Sequence, residues 1–391
     1  MNTQNTPVHI HLWHHDFWRM AIANLLLAMS VYMLIPVLPA WMLGSQQLTL
    51  QQTGLAMGAF GAGLFLLGGF TSFLVQHYRR NQVCIVAILL MVASLAVLYY
   101  QNRYWPAVDA FPLILLQRVA MGAFFGLAQM ILSSTLIIDT CESFQRTEAN
   151  HSASWFGRFS LSLGPLFAIV IYRHWGFETV LWASAGCALT AVVLIMLVHF
   201  PFRAPADQVP VMSLDRFLLP QGSVLFANQL LIMLSVGLLL SLPLPMQFYS
   251  MLMVGFLLAI LAQRFVFREA ELKSEVVSGL VLMGAALLML LTRQQAVVGY
   301  LAPLFVGFGI GIIGSRFLLF FIKLSRHCQR GTSQSTFMLA WEGGLALGLG
   351  LGYGVCLSDR PTVLIAALVL VVAALALYQF AHGWFLGHKN R

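Results

Sequence analysis

The sequence predicts an all-α membrane protein of twelve transmembrane helices in two six-helix, pseudo-symmetric halves, on three observations. First, 60% of its 391 residues are hydrophobic and only 9% are charged. With a mean hydropathy of +0.84, this is more apolar surface than a soluble core can hide. Second, apolar runs of about 20 residues, the length of one bilayer crossing, recur along the chain between short polar connections. Third, a polar break holding Pro201, Pro205, Pro210 and Pro220 divides the runs six and six. The division predicts an N-terminal half over residues 1–200, a linker over 201–222 and a C-terminal half over 223–391.

A net charge of +8 does not point to nucleic acid, because the basic residues lie along short connections and form no arm or stripe. Of the 21 Lys and Arg, three (Arg118, Arg158, Arg316) fall within spans. Four (Arg103, Arg173, Arg293, Arg360) fall in odd-numbered connections, and the remaining fourteen lie in even-numbered connections or at the two ends. That asymmetry predicts both termini on the cytoplasmic side. The five cysteines are odd in number and scattered, which implies no disulfide frame and no CxxC metal site. No P-loop, HExxH or serine triad appears, and no connection is long enough to fold as a catalytic domain. The chain therefore reads as no enzyme and calls for no cofactor.

The lead holds His9, His11, His14 and His15 among Trp13 and Trp18, a spacing of interfacial aromatics with exposed histidines and no metal site. The first apolar run follows this lead and is long enough to span, so it reads as a crossing and not as a cleavable leader. Span 1 (about 17–43) is interrupted by Pro36 and Pro39. Span 2 (52–75) carries Gly54, Gly58, Gly61 and Gly63, a face that lets another helix approach closely. A basic loop with Arg79 and Arg80 leads to span 3 (83–100).

Span 4 (111–139) is the most informative stretch. Arg118 lies roughly 10 Å along it, too deep for an end-anchoring charge. Gly122 and Gln129 fall on the same face and would share a polar stripe with Arg118. The plainer reading is an Arg that snorkels or locks two helices together. Span 5 (151–172) holds a second intramembrane charge, Arg158, and the pair Gly164-Pro165, where a helix can flex. Span 6 covers 179–200. In the second half, spans 7 to 10 cover about 221–242, 247–266, 276–291 and 300–324. Arg316 lies late in span 10, after a glycine run. Span 11 (335–356) carries Glu342 and a glycine series from Gly344 to Gly354, and span 12 covers 362–385.

Glu342 is the acid farthest from any membrane end, which makes it the candidate for a carried proton; a structural ion pair is the other reading. Arg316 is expected at similar depth, so an Arg316–Glu342 pair is predicted.

Two six-span halves joined by a longer linker resemble a transporter of the major facilitator superfamily, and the likeness covers the whole chain. Leu115-Leu116-Gln117-Arg118 with Gly122 resembles that family's span-4 signature, whose Arg is implied in proton coupling. Tyr32-Met33-Leu34-Ile35-Pro36-Val37-Leu38-Pro39 looks like the first span of efflux-type members. Span 5, with Gly157 and Gly164-Pro165, is similar to the exporters' antiporter signature, where Gly164 and Pro165 would be a hinge. Ala168 and Ile169 stand where that signature has glycines. In the loop between spans 2 and 3, Gln76, His77 and Arg79 replace the family's Asp, Arg and Gly, and Arg80 remains as a basic end. Arg79 and Arg80 would be the gating charges.

The resemblance implies that spans 1, 4, 7 and 10 line a central cavity. This nominates Asn24, Tyr32, Gln117, Arg118, Gln129, Asn228, Gln229 and Arg316 as its polar lining, and Arg118, Arg158 and Glu342 as the coupling set. The implied activity is secondary transport of a small molecule by alternating access, as proton-coupled efflux from a monomer in the plasma (inner) membrane. An uptake carrier for a polar or anionic nutrient, and a non-transporting receptor of the same fold, are the alternatives.

Overall fold

The computed structural model describes residues 11–104, 110–200, 209–267, 271–326 and 329–387. The first eight linker residues (201–208), His9, Arg268, Cys328 and the basic tail lie outside them. Among the described residues, ten segments are long and apolar enough to cross a bilayer. One of these, α8 (Arg146–Met196), turns at Gly176, whose φ of 81° is a left-handed conformation that glycine adopts without strain. It therefore supplies two limbs, spans 5 and 6. With α13 (Arg330–Gly354), the arrangement fits twelve crossings.

The first crossing is α1 (His15–Tyr32) followed by α2 (Leu34–Gly44), broken at Met33. The cause is Pro36: it has no N–H for the carbonyl of Tyr32, four residues back, and its ring crowds that carbonyl. His14 caps α1 by accepting from Phe17 N–H, which gives that histidine a structural task. The second and third crossings are α3 (Leu50–Leu66), extended by α4 (Thr71–His77), and α5 (Arg80–Tyr104). The fourth, α6 (Ala110–Ile131), continues through a π-helical turn at Leu132–Leu136 into α7 (Ile137–Asp139). In that turn the hydroxyls of Ser133 and Thr135 bond back to the carbonyls of Gln129 and Ile131, a competition that loosens the regular ladder. The second half comprises α9 (Ser223–Leu240), α10 (Met246–Phe265), α11 (Leu272–Thr292), α12 (Val298–Leu324), α13 and α14 (Arg360–Gly387).

Helix pairings repeat between the halves: α1 packs on α8 as α9 packs on α13, α3 on α6 as α10 on α12, and α5 on α6 as α11 on α12. The same small-residue device serves each repeat. A Cβ on Gly63 would lie 2.2 Å from Val119 O and 3.0 Å from Gly122 Cα, and one on Gly255 would lie 2.3 Å from Leu304 O and 3.0 Å from Gly307 Cα. Across the halves, α3 meets α13 and the first limb of α8 meets α10. The glycine face of α3 lies on that of α13, with a Gly54 Cβ falling 2.3 Å from Gly354 N. Gly164 belongs to the same class of contact, since a Cβ there would be 3.0 Å from Tyr32 Cβ and 3.1 Å from Met33 N.

The end of the bundle that carries the linker is termed the linker face, and the other end the opposite face. At the linker face the start of α13 lies on the π-helical turn, a Gly331 Cβ being 2.9 Å from Ser134 O. Residues 213–219 strap this end. Ser213 N–H donates to Gly69 O at 2.9 Å, and the N–H groups of Arg216 and Leu219 donate to the hydroxyls of Thr332 and Thr336, each at 2.8 Å. At the opposite face, Gly54, Gly350 and Gly354 close the α3–α13 seam. The two halves are thus in contact at both ends of the bundle.

Candidate functional site

Polar side chains from four crossings meet at the centre of the bundle. Asn24 of α1 accepts from the Gln129 amide at 2.6 Å and donates to Ala153 O at 3.0 Å, tying α1 to α6 and α8. Two turns further along α1, Tyr32 Oη donates to Glu342 Oε1 at 2.5 Å and accepts from Trp341 Nε1 at 3.2 Å. All three groups are buried. This contact joins the first crossing of one half to the eleventh of the other.

The Tyr32–Glu342 pair separates two small cavities, and each cavity has one arginine in its wall. The cavity toward the opposite face, about 20 Å³, is lined by Arg118, Phe60, Met57, Leu345 and Leu349. The one toward the linker face, about 40 Å³, is lined by Asn24, Gln129, Ser154, Arg158, Gln334 and Phe337. Since one water needs roughly 10–15 Å³ of such space, these volumes admit water and no larger solute.

The two arginines are held differently. The Arg158 guanidinium donates to Ser315 Oγ at 2.6 Å, Ser154 Oγ at 3.2 Å and Gly311 O at 3.3 Å, and it lies 4.5 Å over the Trp155 ring. Among the described residues Arg118 has only a sulfur partner, Met121 Sδ at 3.5 Å, and stacks 4.8 Å over Phe60; the Nε–H of each arginine is buried with no acceptor there. No carboxylate lies within ion-pair distance of either among the described residues. A buried guanidinium with unused donors can bond an anion or the carbonyl of a solute wherever the space beside it is wider than a water.

The expected Arg316–Glu342 pair is not formed. Arg316 Nε donates to Glu275 Oε2 at 2.6 Å, within the α11–α12 contact. Ser315 and Arg316 are adjacent on α12 and so point about 100° apart. Ser315 faces the centre and accepts from Arg158, whereas Arg316 faces α11. Gln117, Asn228 and Gln229 are buried but line neither central cavity: Gln117 reaches Met121 Sδ at 3.6 Å, and both polar atoms of the Asn228 amide lack partners. Arg80 pairs with Asp139 at the end of the fourth crossing.

Sequence reasoning passed over Glu275, which is fully buried, because it stands beside a charged loop. A carboxylate one residue before an apolar run was its only signal. Trp341 and Gln334 were also missed. They lie seven residues apart on α13, one above the other and about 80–100° round the axis from Glu342, and line the same cavity with it.

A helical bundle of two interlocking halves with buried, unneutralised polar groups at its centre is the architecture of a membrane-transporter fold. The profile of the Major Facilitator Superfamily matches residues 20–355, and the chain belongs to that family. Among solved structures it is similar to a bacterial homolog of the human lysosomal transporter Spinster in an inward-facing, unoccupied conformation, with a TM-score of 0.68 at 14% identity, covering 96% of this chain and 98% of that one. It is also similar to the nucleoside transporter NupG (TM-score 0.66, 15% identity, 93% and 100% covered) and to the human organic anion transporter MFSD10 (0.64, 16%, 95% and 97%). No curated protein sequence matches the chain.

Proposed function

We propose that the protein is a secondary active transporter that moves a small solute by alternating access, with Glu342 as the proton-carrying group and efflux as the direction. The halves 1–200 and 223–391 would rock about the central site, in a plasma (inner) membrane with both termini cytoplasmic and the monomer as the working unit. The observation that carries this reading is the Tyr32–Glu342 bond, because it joins the halves and its strength depends on a proton. A hydrogen bond to an ionised carboxylate is roughly twice as strong as one between neutral groups. Protonation of Glu342 weakens the link and frees the halves to part, so a proton entering from one side is exchanged for opening of the site. Arg118 and Arg158, on either side of this link, are the groups a solute would meet.

Flux measured in proteoliposomes with and without an imposed pH gradient tests the reading. The parent should respond to the gradient, and Glu342→Gln should retain exchange of solute while losing that response. Gradient-driven accumulation by Glu342→Gln would overturn it.

A second reading, a carrier for an anionic nutrient, is favoured by one observation. The two cavities hold two guanidinium groups against a single carboxylate, a surplus of positive charge that suits a carboxylate or phosphate solute.

A further inference from the structure

Away from the central site, at the linker face, lies a polar pocket of about 220 Å³. Its wall draws on both halves and the strap between them: Arg80, Ser134 and Arg146 from the first half, Arg216 from the strap, Arg330 and Gly331 from the start of α13. Asp139, the one lining carboxylate among the described residues, is engaged by Arg80, and Asp215 just outside lies 3.8 Å from Arg216. Arg146 and Arg330 have no carboxylate within ion-pair distance among the described residues.

Two further observations aim donors into this space. No side chain caps the 25-residue helix α13, and its first residues, Arg330, Gly331 and Thr332, line the pocket at the positive end of the helix dipole. Ser134, only 5% exposed, lines the pocket with its hydroxyl unpartnered among the described residues, and Arg146 Nε–H is likewise buried without an acceptor there. Forked donors, a helix N-terminus and a buried hydroxyl around a volume many times the roughly 10–15 Å³ that one water needs form an oxyanion receptor.

We propose that this pocket binds a phosphate-type dianion, which bridges the two halves and holds the linker face shut. The Arg146 side belongs to the first half and the Arg330 side to the second, so an anion between them replaces repulsion across the seam with attraction to both. Opening the linker face would pull the two walls apart and release the anion. The binding claim stands on the pocket alone, and the effect on opening rests on the alternating-access reading.

The test uses the purified full chain in phosphatidylcholine nanodiscs at constant ionic strength, titrated with inorganic phosphate. Parent protein should show a saturable rise in melting temperature, with at least tenfold weaker apparent affinity in Arg146→Gln and in Arg330→Gln. Each of these variants removes one of four clustered positive charges and should melt no lower than the parent in phosphate-free buffer. Should one fail to fold, Arg330→Lys, which keeps the charge but loses the fork, should weaken phosphate at least threefold. Stabilisation by phosphatidic acid discs in the absence of phosphate, with the same dependence on Arg146 and Arg330, would identify a lipid headgroup as the source. If neither phosphate nor phosphatidic acid stabilises the parent more than the variants, the site is overturned. Maleimide labelling of Gln334→Cys, a residue behind this gate, should slow when the anion is bound. Unchanged labelling despite a raised melting temperature would overturn the clamp while leaving the transport reading untouched.

Discussion

Tyr32 Oη stands 2.5 Å from Glu342 Oε1, and these two atoms form the hydrogen bond that ties the first crossing of one half to the eleventh crossing of the other at the centre of the bundle. Because the residues are 310 positions apart in sequence, the bond reports the relative position of the halves and little of local structure. Hydrogen bonds to charged groups contribute about 1.5–3 kcal/mol. Tyr32→Phe should therefore shift the closed-to-open equilibrium by roughly tenfold or more, at about 1.4 kcal/mol per decade. The sign with pH follows. The strong form of the bond exists while Glu342 is ionised, so acidification should favour opening in the parent and change little in Tyr32→Phe. Spin-label distances across the halves, measured against pH, check both statements; identical pH profiles in parent and mutant would contradict the assignment.

The Arg316–Glu275 pair should behave as a structural ion pair. Glu275 is fully buried and the Arg316 side chain is 19% exposed. Removing either partner strands a charge and should destabilise by about 3–5 kcal/mol, whereas Arg316→Met with Glu275→Leu should be milder. Thermal melting of the two single variants and the double variant decides this, and a double variant no better than the worse single one would argue against direct pairing.

These two pairs also mark what the sequence disclosed. Depth in the membrane is counted directly along an apolar run, so Arg118, Arg158 and Glu342 are legible as intramembrane charges, and the Pro36 break before the site is legible from the missing N–H. Direction around a helix axis is not. Arg316 differs by one residue, about 100° of rotation, from Ser315, which meets Arg158 instead. The glycines of α3 and α13 announce a close helix contact, and their partners emerge only from packing. Arg80 meets Asp139 for the same reason: both are visible at helix ends, but their adjacency depends on how α5 lies against α6 and α7.

The α3–α13 seam should be intolerant of side chains in a direction-dependent way. A Cβ at Gly54 would fall within 2.3–2.6 Å of backbone atoms of Gly350 and Gly354, which cannot move aside as a flexible side chain would. Gly54→Val should hold the opposite face open. A cysteine at Leu349, in the wall of the cavity on that side, should then react faster with an impermeant maleimide than in the otherwise unchanged protein. Equal labelling would show that the seam does not close that face.

Topology has its own check. Single cysteines at Ser45 and Asp359, at the opposite face, should label from outside intact cells, and one at Leu214, in the strap, should label only after permeabilisation. Outside labelling at Leu214 would invert the orientation expected from the charge asymmetry.

Arg118 provides the sharpest test of the site. The residue is 4% exposed, its guanidinium stacks on Phe60, and among the described residues it bonds only to a methionine sulfur, with Nε–H unpartnered. Arg118→Lys keeps the charge but loses the planar fork and the flat stacking face, so transport should fall sharply while expression and melting temperature stay near the parent. Arg118→Gln removes the charge as well, and flux should lose its response to a pH gradient, because a neutral side chain cannot compete electrostatically with a proton for the cavity that Arg118 and Glu342 share. If Arg118 merely snorkels, Lys would snorkel equally well and transport would survive in it. Proteoliposome flux for parent, Lys and Gln forms, with and without the gradient, separates these cases: near-parental flux in both variants would remove Arg118 from the transport site.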